Sequence, residues 1–308
     1  MGVGRAAVEA TDRTARRARL RGVASWGYQL RLIDPDEVAA SPFDLVVVDH
    51  AISANRRFVR EFTPAEVERM RTRPDGTRRV LLAYLSIGEA ERYRFYWDQA
   101  WYEPGRAPSW LATANERWDG NWRARFWERG WQDVIYAGSD TYLARIGAQG
   151  FDGIYLDRAD VYHELLAERP TARADMLRFL RALAEAARRN RPDFLVVMQN
   201  AEELLRDPGL VALLDGVAKE DLHYGVEHDE RPNPPAMVAG SRADLFRARD
   251  AGLAVLAVEY LSDPGHAATA LQKLRSDRFV PLVTERSLGS LPRPPPIESP
   301  LHNARPAR

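Results

Sequence analysis

Eight short apolar runs rich in β-branched residues, each bounded by Gly, Pro or Asp, recur along the chain and leave room for a helix between most of them. They fall at 23–29, 44–49, 79–86, 152–157, 194–199, 215–220, 253–259 and 279–284. Runs of this length suit strands buried on both faces, and strands alternating with helices pair in parallel. Helical spacing is found over 64–72, opened by Thr63-Pro64, and over 139–148, 172–190, 201–206 and 241–251. Ser139, Asp140 and Ser241 offer side-chain oxygens that would cap free N–H groups at helix starts. No Gly-rich phosphate loop follows the first strand, which weakens an open doubly wound sheet. The α/β pattern predicts a single (β/α)8 TIM barrel.

At 308 residues one large core is enough to organise the chain. Residues 1–22 read as an Arg-rich N-terminal extension, 23–290 as the barrel, and 291–308 as a Pro-rich, extended and disordered tail. The 44 Lys and Arg residues balance 44 Asp and Glu, so no whole-protein field gathers nucleic acid or anionic membrane. No run of about 18 apolar residues is present to span a bilayer. The absence of Cys removes disulfide and thiolate chemistry. The first residues carry Arg5, Arg13, Arg16, Arg17, Arg19 and Arg21 with no apolar stretch of signal-peptide length between them.

The interval 87–138 breaks the rhythm and forms a long aromatic-rich insertion after the third strand, with Tyr93, Phe95, Tyr96, Trp97, Trp101, Tyr102, Trp110, Trp118, Trp122, Phe126, Trp127 and Trp131. Loops of that length sit beside active sites. The rings suit sugar faces, although most are expected to pack a lid onto the barrel.

Several strands end in a polar residue. Two-residue alternation puts Tyr155 with Asp157 on the face that looks into the barrel, and likewise Ala218 with Glu220, Leu45 and Val47 with Asp49, Tyr84 with Ser86, and Val255 and Ala257 with Glu259. The C-terminal ends of barrel strands converge on one mouth, where active sites of this fold lie. Asp157 and Glu220 are the expected chemical centre, with Lys219 turned to the opposite face. Asp49, Tyr84, Glu89, Tyr155, Asp160, Gln199, Asn200 and Glu259 are expected to bind substrate, Trp26 to close the floor, and His223 to line the mouth. The bland alternatives are that Asp160 caps the following helix and Glu89 pairs with Arg92.

At these residues the chain resembles glycoside hydrolase family 114, whose named activity is endo-α-1,4-polygalactosaminidase. The matching stretches are Trp26 to Leu30, Asp44 to Asp49, Ala83 to Glu91, Trp131 to Ile135, Gly150 to Asp157, Gln199-Asn200 and Lys219 to Leu222. The resemblance implies a (β/α)8 barrel that cleaves α-linked amino-sugar polymers, with Asp157 and Glu220 as the pair after strands four and six. It also implies export, which the start of the chain does not show as a signal segment, so the compartment stays open.

Glycosidic cleavage needs one carboxyl protonated and one ionised. Analogy with other barrels favours retention, Asp157 as nucleophile and Glu220 as acid/base with a raised pKa. An unacetylated amino sugar carries an ammonium that carboxylates would recognise. No cofactor or metal is called for. The two alternatives are a Mg²⁺-dependent hydrolase using Asp49, Asp157 and Asp160, and a noncatalytic carbohydrate-binding barrel.

Overall fold

The eight runs pair in the order in which they occur. The computed structural model describes residues 2–54 and 57–292. In it β1 (Trp26–Gln29), β2 (Leu45–Val48), β3 (Val80–Ser86), β4 (Gly153–Asp157), β5 (Leu195–Gln199), β6 (Gly216–Glu220), β7 (Ala254–Tyr260) and β8 (Val280–Thr284) form one parallel sheet in sequence order. The sheet curls into a nearly closed (β/α)8 barrel. Its seam, between β1 and β8, is bridged by the Trp26 indole donating to the Val280 carbonyl at 3.0 Å and by the N–H groups of Leu30 and Arg31 donating to the Leu288 carbonyl.

Alternation along each strand divides the core into two layers. Inside lie Trp26, Tyr28, Leu45, Val47, Leu82, Tyr84, Tyr155, Leu195, Val197, Ala218, Leu256, Val258, Tyr260 and Leu282. Outside, Val46, Leu81, Ile154, Leu156, Val196, Val217, Val255 and Ala257 pack against the helices. The floor is closed by Trp26 together with Leu20, which comes from the helix Gly2–Arg21. That helix occupies the Arg-rich segment read as an extension, and its arginines hold it in place. Arg16 pairs with Asp215 at 2.9 Å and Arg19 with Asp152 at 2.6 Å.

Both aspartates precede a strand. Asp152 also accepts the Leu81 N–H at 3.0 Å, and Asp215 the Val196 N–H at 2.9 Å, so each carboxylate continues the ladder of its neighbour at the lower rim. Gly153 follows because a Cβ there would collide with the Leu195 carbonyl.

Helices occupy Pro64–Arg71, Tyr142–Gln149, Ala172–Arg188, Pro235–Asp250 and Pro264–Ser276, with a 3-10 turn over Glu202–Arg206. Thr63 and Glu66 form a capping box on the first. The second is capped by Thr141 rather than Ser139 or Asp140. Pro235–Asp250 begins six residues before Ser241, whose hydroxyl bonds Glu202 instead of capping. The helix Pro264–Ser276, capped by Asp263, was absent from the sequence reading.

The aromatic insertion carries a three-stranded antiparallel sheet of Glu89–Glu91, Asn121–Ala124 and Leu111–Ala114, with the middle segment at its centre. Trp110, Phe126 and Trp131 are buried, and the Trp131 indole donates to the Ile87 carbonyl at 2.8 Å. Trp118 and Tyr102 are exposed, at 57% and 52%. Most rings therefore fasten a lid to the barrel. The tail from 293 onward lies outside the described residues. Among the described residues no helix is long and apolar enough to cross a membrane.

Candidate active site

β4, β5 and β6 end side by side, and the residue following each strand adopts a left-handed backbone: Arg158 (φ 62°), Asn200 (φ 55°) and Asp221 (φ 52°). This conformation is uncommon without glycine, and its recurrence on three adjacent strands marks strain gathered at one place. The turn leaves the last side chain of each strand, Asp157, Gln199 and Glu220, at the mouth.

Gln199 joins the other two. Its Nε2 donates to Asp157 Oδ1 at 2.8 Å and to Glu220 Oε2 at 2.8 Å, so those oxygens are separated by no more than twice that length. The Tyr155 hydroxyl donates to Gln199 Oε1 and thereby fixes which end of the amide faces the carboxylates. Asp157 Oδ2 accepts the Tyr84 hydroxyl at 2.7 Å, and Oδ1 also accepts the Arg158 N–H at 2.8 Å. Asn200 donates Nδ2 to Glu220 Oε2 at 3.1 Å and accepts the Glu220 N–H at 3.1 Å. Glu220 Oε1 accepts the Tyr260 hydroxyl.

Both carboxyls are half-buried. Burial pushes the Glu220 pKa up to about 7, with the charge of Asp157 adding to the rise and the Tyr260 and Asn200 hydrogen bonds opposing it. Burial also raises Asp157, against the Tyr84 hydrogen bond. Burial holds the phenols of Tyr84, Tyr155 and Tyr260 well above their ordinary range, so they remain protonated donors. Tyr28 packs against Tyr155 in a tilted contact, ring centroids 5.3 Å apart.

Asp157, Glu220, Tyr84, Tyr155, Gln199 and Asn200 thus form one hydrogen-bonded group. Asp160 lies beside it, partly exposed, within 3.3 Å of Arg158. It does not cap the next helix, and its charge adds to the rise at Asp157.

The other three expected substrate ligands are occupied elsewhere. Asp49 is bound by Arg94 at 2.7 and 2.8 Å and accepts the Ala51 N–H, inside a buried pair behind Tyr84. Glu89, 1% exposed, is held by Arg158 at 3.0 Å and by the side chains of Asn115 and Asn121, while Arg92 pairs with Asp119. Glu259 faces the helices because Leu256, Val258 and Tyr260 take the inner positions of β7. It accepts the N–H groups of His223 and Tyr224 at 2.8 and 3.2 Å. His223 does not line the mouth. Its surroundings are Lys273, Asp277 and Arg242, and burial lowers its pKa to about 4. Lys219 points away from Glu220 and pairs with Glu202 at 3.2 Å.

With Asp49 consumed by Arg94, the carboxylate trio of the Mg²⁺ alternative does not assemble. Among the described residues no group of three or more His, Asp or Glu side chains gathers as a metal site. Tyr260, Tyr28 and Arg158 belong to the site and escaped the sequence reading. Tyr260 shares a face with Leu256 and Val258, but alternation in an all-apolar strand does not show that this face is the inner one.

The chain is similar to several known proteins. An uncharacterized protein of Deinococcus radiodurans is 36% identical over 282 residues, covering 90% of this chain and 85% of that one. One from Thermotoga maritima is 33% identical over 250 residues, covering 78% and 71%. The glycoside hydrolase domain of PelA from Pseudomonas aeruginosa superposes with a TM-score of 0.66 at 25% identity, covering 87% of this chain and 96% of that domain. The model of glycoside-hydrolase family GH114 matches residues 6–294, and with that span covered the chain belongs to this glycoside hydrolase family.

Proposed function

We propose that this glycoside hydrolase cleaves α-linked amino-sugar polymers of the galactosamine type with retention, Asp157 acting as nucleophile and Glu220 as acid/base. The observation that carries the reading is the single Gln199 nitrogen bonded to both carboxyls. Its two 2.8 Å bonds hold the joined oxygens no more than twice that length apart, a bound that supports the close carboxyls of a retaining enzyme, about 5–5.5 Å, over the roughly 6.5–9.5 Å at which an inverting enzyme makes room for water.

In the first half-reaction Glu220 gives its proton to the glycosidic oxygen as the C1–O bond breaks, and an Asp157 oxygen bonds to C1. In the second, Glu220 takes a proton from water, the water oxygen bonds to C1, and Asp157 is released as carboxylate. A pKa of about 7 lets Glu220 serve in both directions. The ammonium of an unacetylated sugar would find Asp160 beside the pair, and Glu37 and Glu285 along the groove next to Tyr260.

Digestion of de-N-acetylated α-1,4-galactosaminan, with products weighed by mass spectrometry, tests the assignment. The wild type should release oligomers and Glu220→Gln none. Equal product from both proteins removes Glu220 from the chemistry.

A further inference from the structure

The two oxygens of Glu220 meet partners of different chemistry. Oε2 accepts two amide N–H groups, from Gln199 at 2.8 Å and Asn200 at 3.1 Å. Neither nitrogen has a lone pair with which to accept a proton. Neither amide is free to flip, because Gln199 Oε1 accepts the Tyr155 hydroxyl and Asn200 Oδ1 accepts the Glu220 N–H. Oε1 faces the Tyr260 hydroxyl, which donates to a carboxylate and equally accepts from a carboxylic acid. A proton carried by Glu220 therefore sits on Oε1.

Tyr260 is held for this contact from both sides. It ends β7, and its ring lies under the Arg286 guanidinium, 4.5 Å from centroid to Cζ. Arg286 in turn is clasped by Asp221, the residue after Glu220, at 2.9 and 3.1 Å. Tyr260 also lines a groove of about 1170 Å³ that includes Gln29, Ser262, Thr284 and Arg286.

We propose that Tyr260 is the positioning residue of the acid/base. It accepts from Oε1 while Glu220 is neutral and turns its own O–H to Oε1 once that proton has passed to the glycosidic oxygen. The same atom is thus in place to take a proton from water in the second step. This role rests on the reading of Glu220 as acid/base.

The test is Tyr260→Phe in the full chain, read by the pH profile of kcat and kcat/KM on de-N-acetylated α-1,4-galactosaminan. Loss of a hydrogen bond to a charged group should lower kcat about tenfold or more, with KM within about twofold. The alkaline limb should move up by about half a pH unit or more, because ionised Glu220 loses a donor. A limb that stays in place overturns the proposal whether or not rate is lost, since a merely structural ring would leave it unmoved.

Should Tyr260→Phe not fold, fluorotyrosine at 260, a stronger donor, should move the limb down, and an unmoved limb again overturns the role. Carbon-13 NMR titration of the Glu220 carboxyl reads the same midpoint without turnover. A shifted midpoint in a protein whose wild type hydrolyses no amino-sugar polymer keeps the Tyr260–Glu220 positioning role and removes the amino-sugar substrate.

Discussion

Glu220 retains its proton to about pH 7 because burial and the neighbouring Asp157 both disfavour its charge. The same preference costs stability. A carboxyl whose pKa is raised on folding destabilises the native state once ionised, so the penalty is absent below about pH 4.5 and complete above about pH 7. Glu220→Gln mimics the neutral acid: its oxygen can accept from Gln199 and Asn200, and its nitrogen can donate to Tyr260. The variant should be more stable than the wild type at pH 8 by about 1–2 kcal/mol, discounted for partial exposure, and equal to it near pH 4. Urea titrations at the two pH values check this, and a variant less stable at pH 8 contradicts it.

Asp157 and Glu220 were legible because each ends an apolar run at an inner position. Glu259 was misplaced for a physical reason. β7 is apolar on both faces, so alternation alone does not tell which face turns inward.

At the scale of elements, the lid is fastened to the barrel through charge as well as through its packed rings. Arg94, 1% exposed at its side chain, joins Asp49 after β2 to Glu91 in the lid sheet, and its guanidinium also lies over the rings of Tyr84 and Tyr93. Burial raises the Glu91 pKa, with Arg94 opposing the rise. Removing the cation leaves two buried carboxylates facing each other. Arg94→Ala should therefore lose about 3–5 kcal/mol, seen as a lower urea midpoint. A loss below about 1 kcal/mol would show that the lid is held by its aromatic packing alone.

The strands were readable because burial on both faces demands apolar β-branched runs. Helix starts were less so. Pro235 and Pro264 open helices as first-turn residues whose missing N–H is no loss, yet in sequence they resemble breaks.

For the whole molecule, two opposing sets of groups shape stability against pH. Glu220 and Glu259 are raised to about 7, and Asp157, Glu91, Asp160 and Asp221 are raised as well, each chiefly by burial. These groups lower stability as pH climbs from the ordinary carboxyl range toward 7. His50 and His223, lowered to about 4 by burial, act the other way and cost stability as pH falls from 6.5 to 4. Glu203, Asp44 and Asp175 are lowered by their partners, and their contribution disappears in stronger acid. The carboxyls outnumber the histidines, so stability should peak at about pH 5. Denaturant midpoints from pH 3 to 9 check this, and a maximum at or above pH 8 overturns it.

The amino-acid sequence by itself determined the strand count, their parallel order and the two acids at the mouth, because period-two burial and polar strand ends are local patterns that survive any arrangement of the loops. Only the tertiary structure decided which carboxylates stay available. Asp49, Glu89 and Glu259 read in sequence like Asp157 and Glu220, but Arg94, Arg158 and the His223–Tyr224 backbone reach them from distant positions and neutralise or saturate them. A charge is a site or a strut according to what meets it, and that partner is chosen by the fold.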